Sequence, residues 1–164
     1  MPVATMPPGV TPHVLDLSNR KWTLTKEMQR VQRSPGASPQ FQYTGTGNKA
    51  GSEYASLVVP VNPGTIYMFS ARADLAHVIG QADLIINRAD GKISYVSVFE
   101  NGGASTPKIV KTPAWKCPPG VTQAFLAMQI AQSAVENGRN LTFTEPKLTY
   151  ATPLDESSPA PSPK

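Results

Sequence analysis

Apolar and polar positions alternate with a period of two in short runs along most of this chain. The clearest run follows Val61-Asn62-Pro63-Gly64-Thr65 and continues through Ile66-Tyr67-Met68-Phe69-Ser70-Ala71 to Asp74. Pro63 suits the second position of a tight turn, and Gly64 supplies the positive φ that a type II turn needs at its third. Beyond the turn, Ile66, Met68 and Ser70 share one face and Tyr67, Phe69 and Ala71 the other. Large apolar groups on both faces predict a central strand covered from two sides.

Strand signals recur every ten to fifteen residues between His13 and Ala151. The candidates are Lys21–Gln32, Pro39–Thr44, Glu53–Val61, Thr65–Asp74, Ala82–Arg88, Lys92–Glu100, Lys108–Lys116, Val121–Ala131 and Arg139–Tyr150. Ala89-Asp90-Gly91 is a hairpin signal, since Asp-Gly accommodates positive φ. After it, Tyr95, Ser97 and Phe99 should lie opposite Val96 and Val98. Val121 to Val135 also holds good helix formers. Leu126, Met128 and Ile130 alternate there, however, and Pro118-Pro119-Gly120 leads in as a turn, which favours a strand. Lys26, Glu27, Arg30 and Arg33 look like a solvated strand face. The expected fold is all-β, an antiparallel sandwich of the jelly-roll kind.

Composition places the ends apart from this core. Eight of the 17 prolines lie before residue 13 or after residue 152. Residues 1–12 are read as an extended Pro-rich arm, 13–151 as the sandwich and 152–164 as a Pro/Ser-rich tail. Charged residues make up only 16%, below the about 25% usual in globular proteins. The net charge of +4 is spread without a run of more than two basic residues. That pattern lacks the clustered footprint of a nucleic-acid binder. No apolar run approaches the roughly 20 residues of a bilayer span, and Met1 to Pro12 does not read as a signal peptide. The lone Cys117 excludes an intrachain disulfide.

Catalytic patterns are poor. No HExxH, GxSxG, P-loop or CxxC motif occurs. His13 lies beside the arm and His77 in a loop-like segment. Cys117 would need a neighbouring histidine base to act as a nucleophile. The expectation is a protein without catalytic residues or cofactor.

Three phrases resemble the galactose-binding-like superfamily, especially carbohydrate-binding modules of families 4, 9 and 22. They are Val59-Pro60-Val61-Asn62-Pro63-Gly64-Thr65-Ile66-Tyr67-Met68-Phe69-Ser70-Ala71, then Lys116-Cys117-Pro118-Pro119-Gly120-Val121-Thr122-Gln123-Ala124-Phe125-Leu126, and Asn140-Leu141-Thr142-Phe143-Thr144-Glu145-Pro146-Lys147-Leu148. The resemblance implies a jelly roll. It also points to Asp16 and Glu145 as calcium candidates. Yet Leu15-Asp16-Leu17-Ser18-Asn19 departs from the family's usual start, and Pro146 stands where a second acid often occurs. Two acids fall short of the six to eight oxygens calcium takes, so no metal is assigned.

Sugars offer C–H faces to aromatic rings and hydroxyls to polar side chains. Trp22, Trp115, Tyr43, Tyr54 and Tyr95 are the aromatic candidates. Trp115, Trp22 and Tyr95 are the predicted glycan residues, with Trp115 first because it sits beside Lys116 near a turn. Against this, aromatics make up only 7% of the chain, and a core needs most of them.

Two functions remain open. Some phage cement proteins resemble this jelly roll. A small sandwich with extended arms suits a capsid decoration protein of a tailed bacteriophage, with the arms clamping neighbours on the lattice. Its partners would be the major capsid protein and further copies of itself, such as a trimer. It would be made in the host cytoplasm and lie on the outer capsid surface. The alternative is a carbohydrate-binding module that recognises a host-surface or polysaccharide glycan.

Overall fold

Asn62 to Thr65 forms the expected type II turn. Thr65 donates its N–H to the Asn62 carbonyl at 3.1 Å, and Gly64 adopts a φ of 87°. Pro118 to Val121 repeats this chemistry, with Val121 N–H on the Pro118 carbonyl at 3.3 Å and Gly120 at φ 84°. The turns lie side by side: Gly64 N–H donates to the Cys117 carbonyl at 2.8 Å and Cys117 N–H to the Thr65 carbonyl at 2.9 Å. Together they close one end of the molecule.

This computed structural model describes residues 11–25, 28–32, 34–43, 49–74, 78–89, 94–101, 108–135 and 141–152. They form twelve strands: β1 (His13–Asp16), β2 (Thr23–Leu24), β3 (Met28–Val31), β4 (Gln40–Tyr43), β5 (Lys49–Pro60), β6 (Ile66–Asp74), β7 (Val78–Arg88), β8 (Ser94–Asn101), β9 (Lys108–Lys111), β10 (Trp115–Lys116), β11 (Gln123–Val135) and β12 (Leu141–Ala151). There is no helix among the described residues. One sheet has the order β2-β5-β11-β7-β8; the other has β10-β6-β12-β4-β3, with β1 added on β12 and β9 on β6. Every pairing is antiparallel. The fold is therefore the expected all-β sandwich.

The core lies between the two sheets, and period-two alternation feeds it. Tyr67, Phe69, Ala71 and Ala73 face it from β6, and Ala124, Leu126 and Met128 from β11. Leu84 and Ile86 of β7 and Phe41, Tyr43 and Phe143 of the opposite sheet fill the middle. Ile66 and Met68 lie on the outward face of β6, yet each is only 7% exposed. The central, doubly covered strand read from this segment is thus present.

Several predicted boundaries shift. Lys21–Gln32 is not one strand: β2 joins one sheet and β3 the other. Thr25 makes the crossing, exchanging hydrogen bonds with Tyr54 through its N–H at 3.0 Å and its hydroxyl at 2.8 Å. Arg30 does not simply face solvent, since its guanidinium donates to the carbonyls of Arg20 and Ser18, both at 2.7 Å. Lys26, Glu27 and Arg33 lie outside the described residues. Lys108–Lys116 also divides into two strands, because Pro113 has no N–H for a ladder. Thr112 bridges the break with its N–H on the Phe69 carbonyl at 2.8 Å and its hydroxyl accepting Phe69 N–H at 3.0 Å. The doubtful Val121–Val135 segment is strand β11, central between β5 and β7.

Two irregularities position side chains. On β8, Val96 stands opposite Ile86 but Ser94 opposite Asn87. Tyr95 is therefore the extra residue of a bulge, and bulges re-aim side chains. On β12 the register shifts between Thr144 and Lys147, where Glu145 takes a φ of 56°. There β12 exchanges β4 for β1 as its neighbour.

Candidate functional site

The predicted aromatic residues divide. Trp22 is a core residue, 8% exposed. Its Nε1 donates to the Leu17 carbonyl at 2.8 Å, and its ring packs between Phe41 and Phe69. It presents no platform to solvent, which corrects that expectation. Tyr43 is likewise internal at 1%.

Trp115 is also inside, at 7% exposure. It belongs to a row of cross-strand neighbours, His13–Tyr150–Tyr67–Trp115, that runs across β1, β12, β6 and β10. Rings directly opposite each other on adjacent strands share a face and touch. The centroids of His13 and Tyr150 are 5.3 Å apart, those of Tyr67 and Trp115 5.9 Å. Tyr67 is fixed further by its hydroxyl, which accepts Asn62 N–H at 2.8 Å; burial pushes its phenol upward. The row ends on Tyr95, stacked on Trp115 at 4.5 Å with planes 22° apart. The structure thus joins two of the three predicted residues, but only Tyr95 is half-buried and reaches the surface.

Tyr95 lines an open cleft of about 380 Å³ with Arg88, Ala89, Gly120, Val121, Thr122 and Gln123. The turn-linked segment 120–122 forms one wall, held by Val61 N–H on the Thr122 carbonyl at 2.9 Å.

A second aromatic surface lies on the outward face of the five-stranded sheet. Ala55 and Val59 of β5 point into the core, so Tyr54, Ser56 and Val58 point away from it. On β11, Phe125, Ala127 and Gln129 share that outward face, opposite Val58, Ser56 and Tyr54 respectively. Tyr54 and Phe125 lean together edge to face, 6.4 Å between centroids at 68°. Between them lie Ser56 and Ala127, only 4% and 2% exposed although they face outward. Val58 beside them is 48% exposed, and Gln129, Gln123 and Thr23 edge the patch with polar groups. Tyr54 was among the sequence candidates; Phe125 was not. The pairing lies 71 positions apart in sequence and becomes visible only through the β5–β11 register.

Among the described residues, the remaining candidates hold no reactive constellation. Cys117 is buried, donates its thiol to the Val121 carbonyl at 3.4 Å, and burial pushes its pKa up. His77 and Asp90 lie outside the described residues. The Asp16 carboxylate accepts Ser18 N–H at 2.9 Å and stands in register with Lys147; its Ser18 hydrogen bonds hold it below the usual carboxylate range. Glu145 sits in the bulge of β12. No cluster of three or more His, Cys, Asp or Glu suited to a metal occurs among the described residues. Among those residues, no helix is long and apolar enough to cross a membrane.

These features define a jelly-roll sandwich with an outward aromatic surface. Its likenesses among solved structures are of the same kind. A carbohydrate-binding module of family 4 superposes with a TM-score of 0.53 at 8% identity, over 82% of this chain and 86% of that one. A family 16 carbohydrate-binding module gives 0.50 at 13% identity, over 81% and 92%. A cyclase from Fischerella sp. TAU, in complex with 4-(1H-indol-3-yl)butan-2-one, gives 0.52 at 11% identity, over 90% and 87%. At such identities the likeness is one of fold, and the fold serves both binding modules and an enzyme. No family model and no curated protein matches the sequence.

Proposed function

We propose that this protein is a non-catalytic carbohydrate-binding module that holds a glycan on the outward face of its five-stranded sheet. The observation that carries the proposal is the Tyr54–Phe125 pair. Two aromatic rings on an outward sheet face, with an exposed Val58 beside them, give a sugar's C–H face an apolar seat. Gln129, Gln123 and Thr23 lie within the same strand rows and offer amide and hydroxyl partners to sugar hydroxyls. Most of that surface sits on β5 and β11, two long neighbouring strands inside one sheet, so the rings are held by rigid elements.

The fold likeness to carbohydrate-binding modules supports this reading. Capsid decoration drew on the terminal arms, which fall almost entirely outside the described residues, and it gains no such support. The test is binding to plant, bacterial and capsular polysaccharides by affinity electrophoresis, with Tyr54→Ala and Phe125→Ala beside the parent. Each substitution should weaken binding by about tenfold or more, the scale of a central aromatic anchor. Binding by the parent that both variants retain would place the glycan elsewhere.

A further inference from the structure

Tyr54 stands level with Gln129, and Phe125 level with Val58. The two rings lean toward each other over Ser56 and Ala127, so the line joining them runs mainly along the strands and not across them. Gln123 lies two residues beyond Phe125 on the same outward face of β11. From the level of Tyr54 to Gln123 is six residues of strand, about 20 Å. Gln123 is also a wall of the end cleft, with Thr122, the Gly120–Val121 turn and Tyr95. The ring pair and the cleft are thus two stations on one path along β11.

Being open, the cleft lets a chain pass through. Tyr95 is the one aromatic ring among its lining residues. Trp115 covers one face of that ring at 4.5 Å and so holds it in place, while the rest of the ring meets the cleft. Thr122 and Gln123, both exposed, add hydroxyl and amide partners for sugar hydroxyls. The cleft therefore repeats the combination of ring and polar rim found on the sheet face. Charge has little part in the path. The outward positions from Tyr54 to Val58 and from Gln123 to Gln129 carry none. Asp83, level with Gln129 on β7, and Arg88, in the cleft wall, both already interact within the protein.

We propose that a linear, neutral glycan lies along β11 with its interior on Tyr54 and Phe125 and continues through the end cleft, where Tyr95 is a second aromatic contact. Gln123 binds a hydroxyl at the junction of the two stations. This rests on the sheet-face reading above and adds to it a direction for the chain, a second anchor and a ligand class.

The test uses the full chain and titration calorimetry with cello-, xylo- and manno-oligosaccharides from dimer to hexamer. A dimer is shorter than the path, whereas a hexamer can span it. In at least one series the parent should bind the hexamer about tenfold or more better than the dimer, as an added aromatic anchor implies. Tyr95→Ala should lose most of that gain and Tyr95→Phe should keep it. Gln123→Ala, at an exposed position, should reduce the gain with thermal unfolding unchanged, which keeps the test valid if Tyr95→Ala fails to fold. Added salt should not alter hexamer binding, nor should chemical reduction of the chain end alter binding of the parent polysaccharide. Equal affinity for dimer and hexamer in every series that binds, or a gain that both Tyr95→Ala and Gln123→Ala retain, overturns the inference. So does binding that salt or end reduction abolishes. Tyr54→Ala separates the two readings: if it weakens binding at every length, the sheet surface stands whatever Tyr95 does. If no oligomer or parent polysaccharide binds at all, both readings fall.

Discussion

Tyr95 of β8 and Trp115 of β10 stack at 4.5 Å although their strands belong to different sheets. The contact exists because a bulge takes Tyr95 out of the alternation of β8. Trp115 then faces the core and Tyr95 faces the cleft, so the tryptophan acts on the surface only through the tyrosine.

Removing either tryptophan should therefore damage stability first. Trp115→Ala and Trp22→Ala each delete a ring that is less than a tenth exposed. A loss of about 3–5 kcal/mol is expected, read as a lowered midpoint in chemical denaturation. Tyr95→Ala, at a half-buried site, should cost less. A Trp22→Ala protein with parental stability would contradict the core assignment.

The two type II turns make a separate prediction. A Cβ at Gly64 or Gly120 would meet no atom within 4 Å, so space is not at issue. The positive φ is, and an L side chain there costs roughly 1–2 kcal/mol. Gly64→Ala and Gly120→Ala should each lower the unfolding free energy by that amount. An unchanged midpoint for both would mean that the turns relax to another type.

Much of this was legible in the sequence, for local reasons. Pro-Gly and Pro-Pro-Gly specify turns through their own backbones, and β6 and β11 alternate plainly. The partition of short strands between sheets was not legible. Lys21–Gln32 reads as one segment, and only the contact between Thr25 and Tyr54, 29 residues apart, shows where the chain crosses over. Trp115 reads as an exposed platform because its burial depends on Tyr67, Tyr95 and the end turns. The Tyr54–Phe125 pair is a product of strand register, which no single segment carries. Tyr95 was chosen among the candidates, but the bulge that aims it leaves no local signature.

Asp16 gives a pH dependence of defined sign. Its carboxyl titrates below its unfolded value, chiefly because Ser18 hydrogen-bonds it. The stabilisation is present above the unfolded carboxylate range, near pH 4, and is lost as pH falls through the lower folded pKa. Since Asp16 is exposed, the effect is small. Asp16→Asn should flatten the acid limb of stability against pH and leave the neutral region nearly unchanged. An identical acid limb in both proteins would remove Asp16 from the account.

Cys117 offers a probe of the closed end. With 1% exposure and a raised pKa, its thiol should resist alkylation at neutral pH in the native protein and react freely in denaturant. Rapid native labelling would show that the paired turns over it open readily.

The most direct measurement is calorimetric titration of a bound polysaccharide into the parent and into the Tyr54→Ala/Phe125→Ala double variant, with thermal unfolding of both. The account predicts that the double variant loses binding while it stays folded, with a melting temperature only modestly below the parent's, since both rings are half-buried on the outward face and outside the core. Full affinity in the double variant, or a loss of binding matched by a collapse in stability, would contradict the claim that this sheet face is the glycan-binding surface.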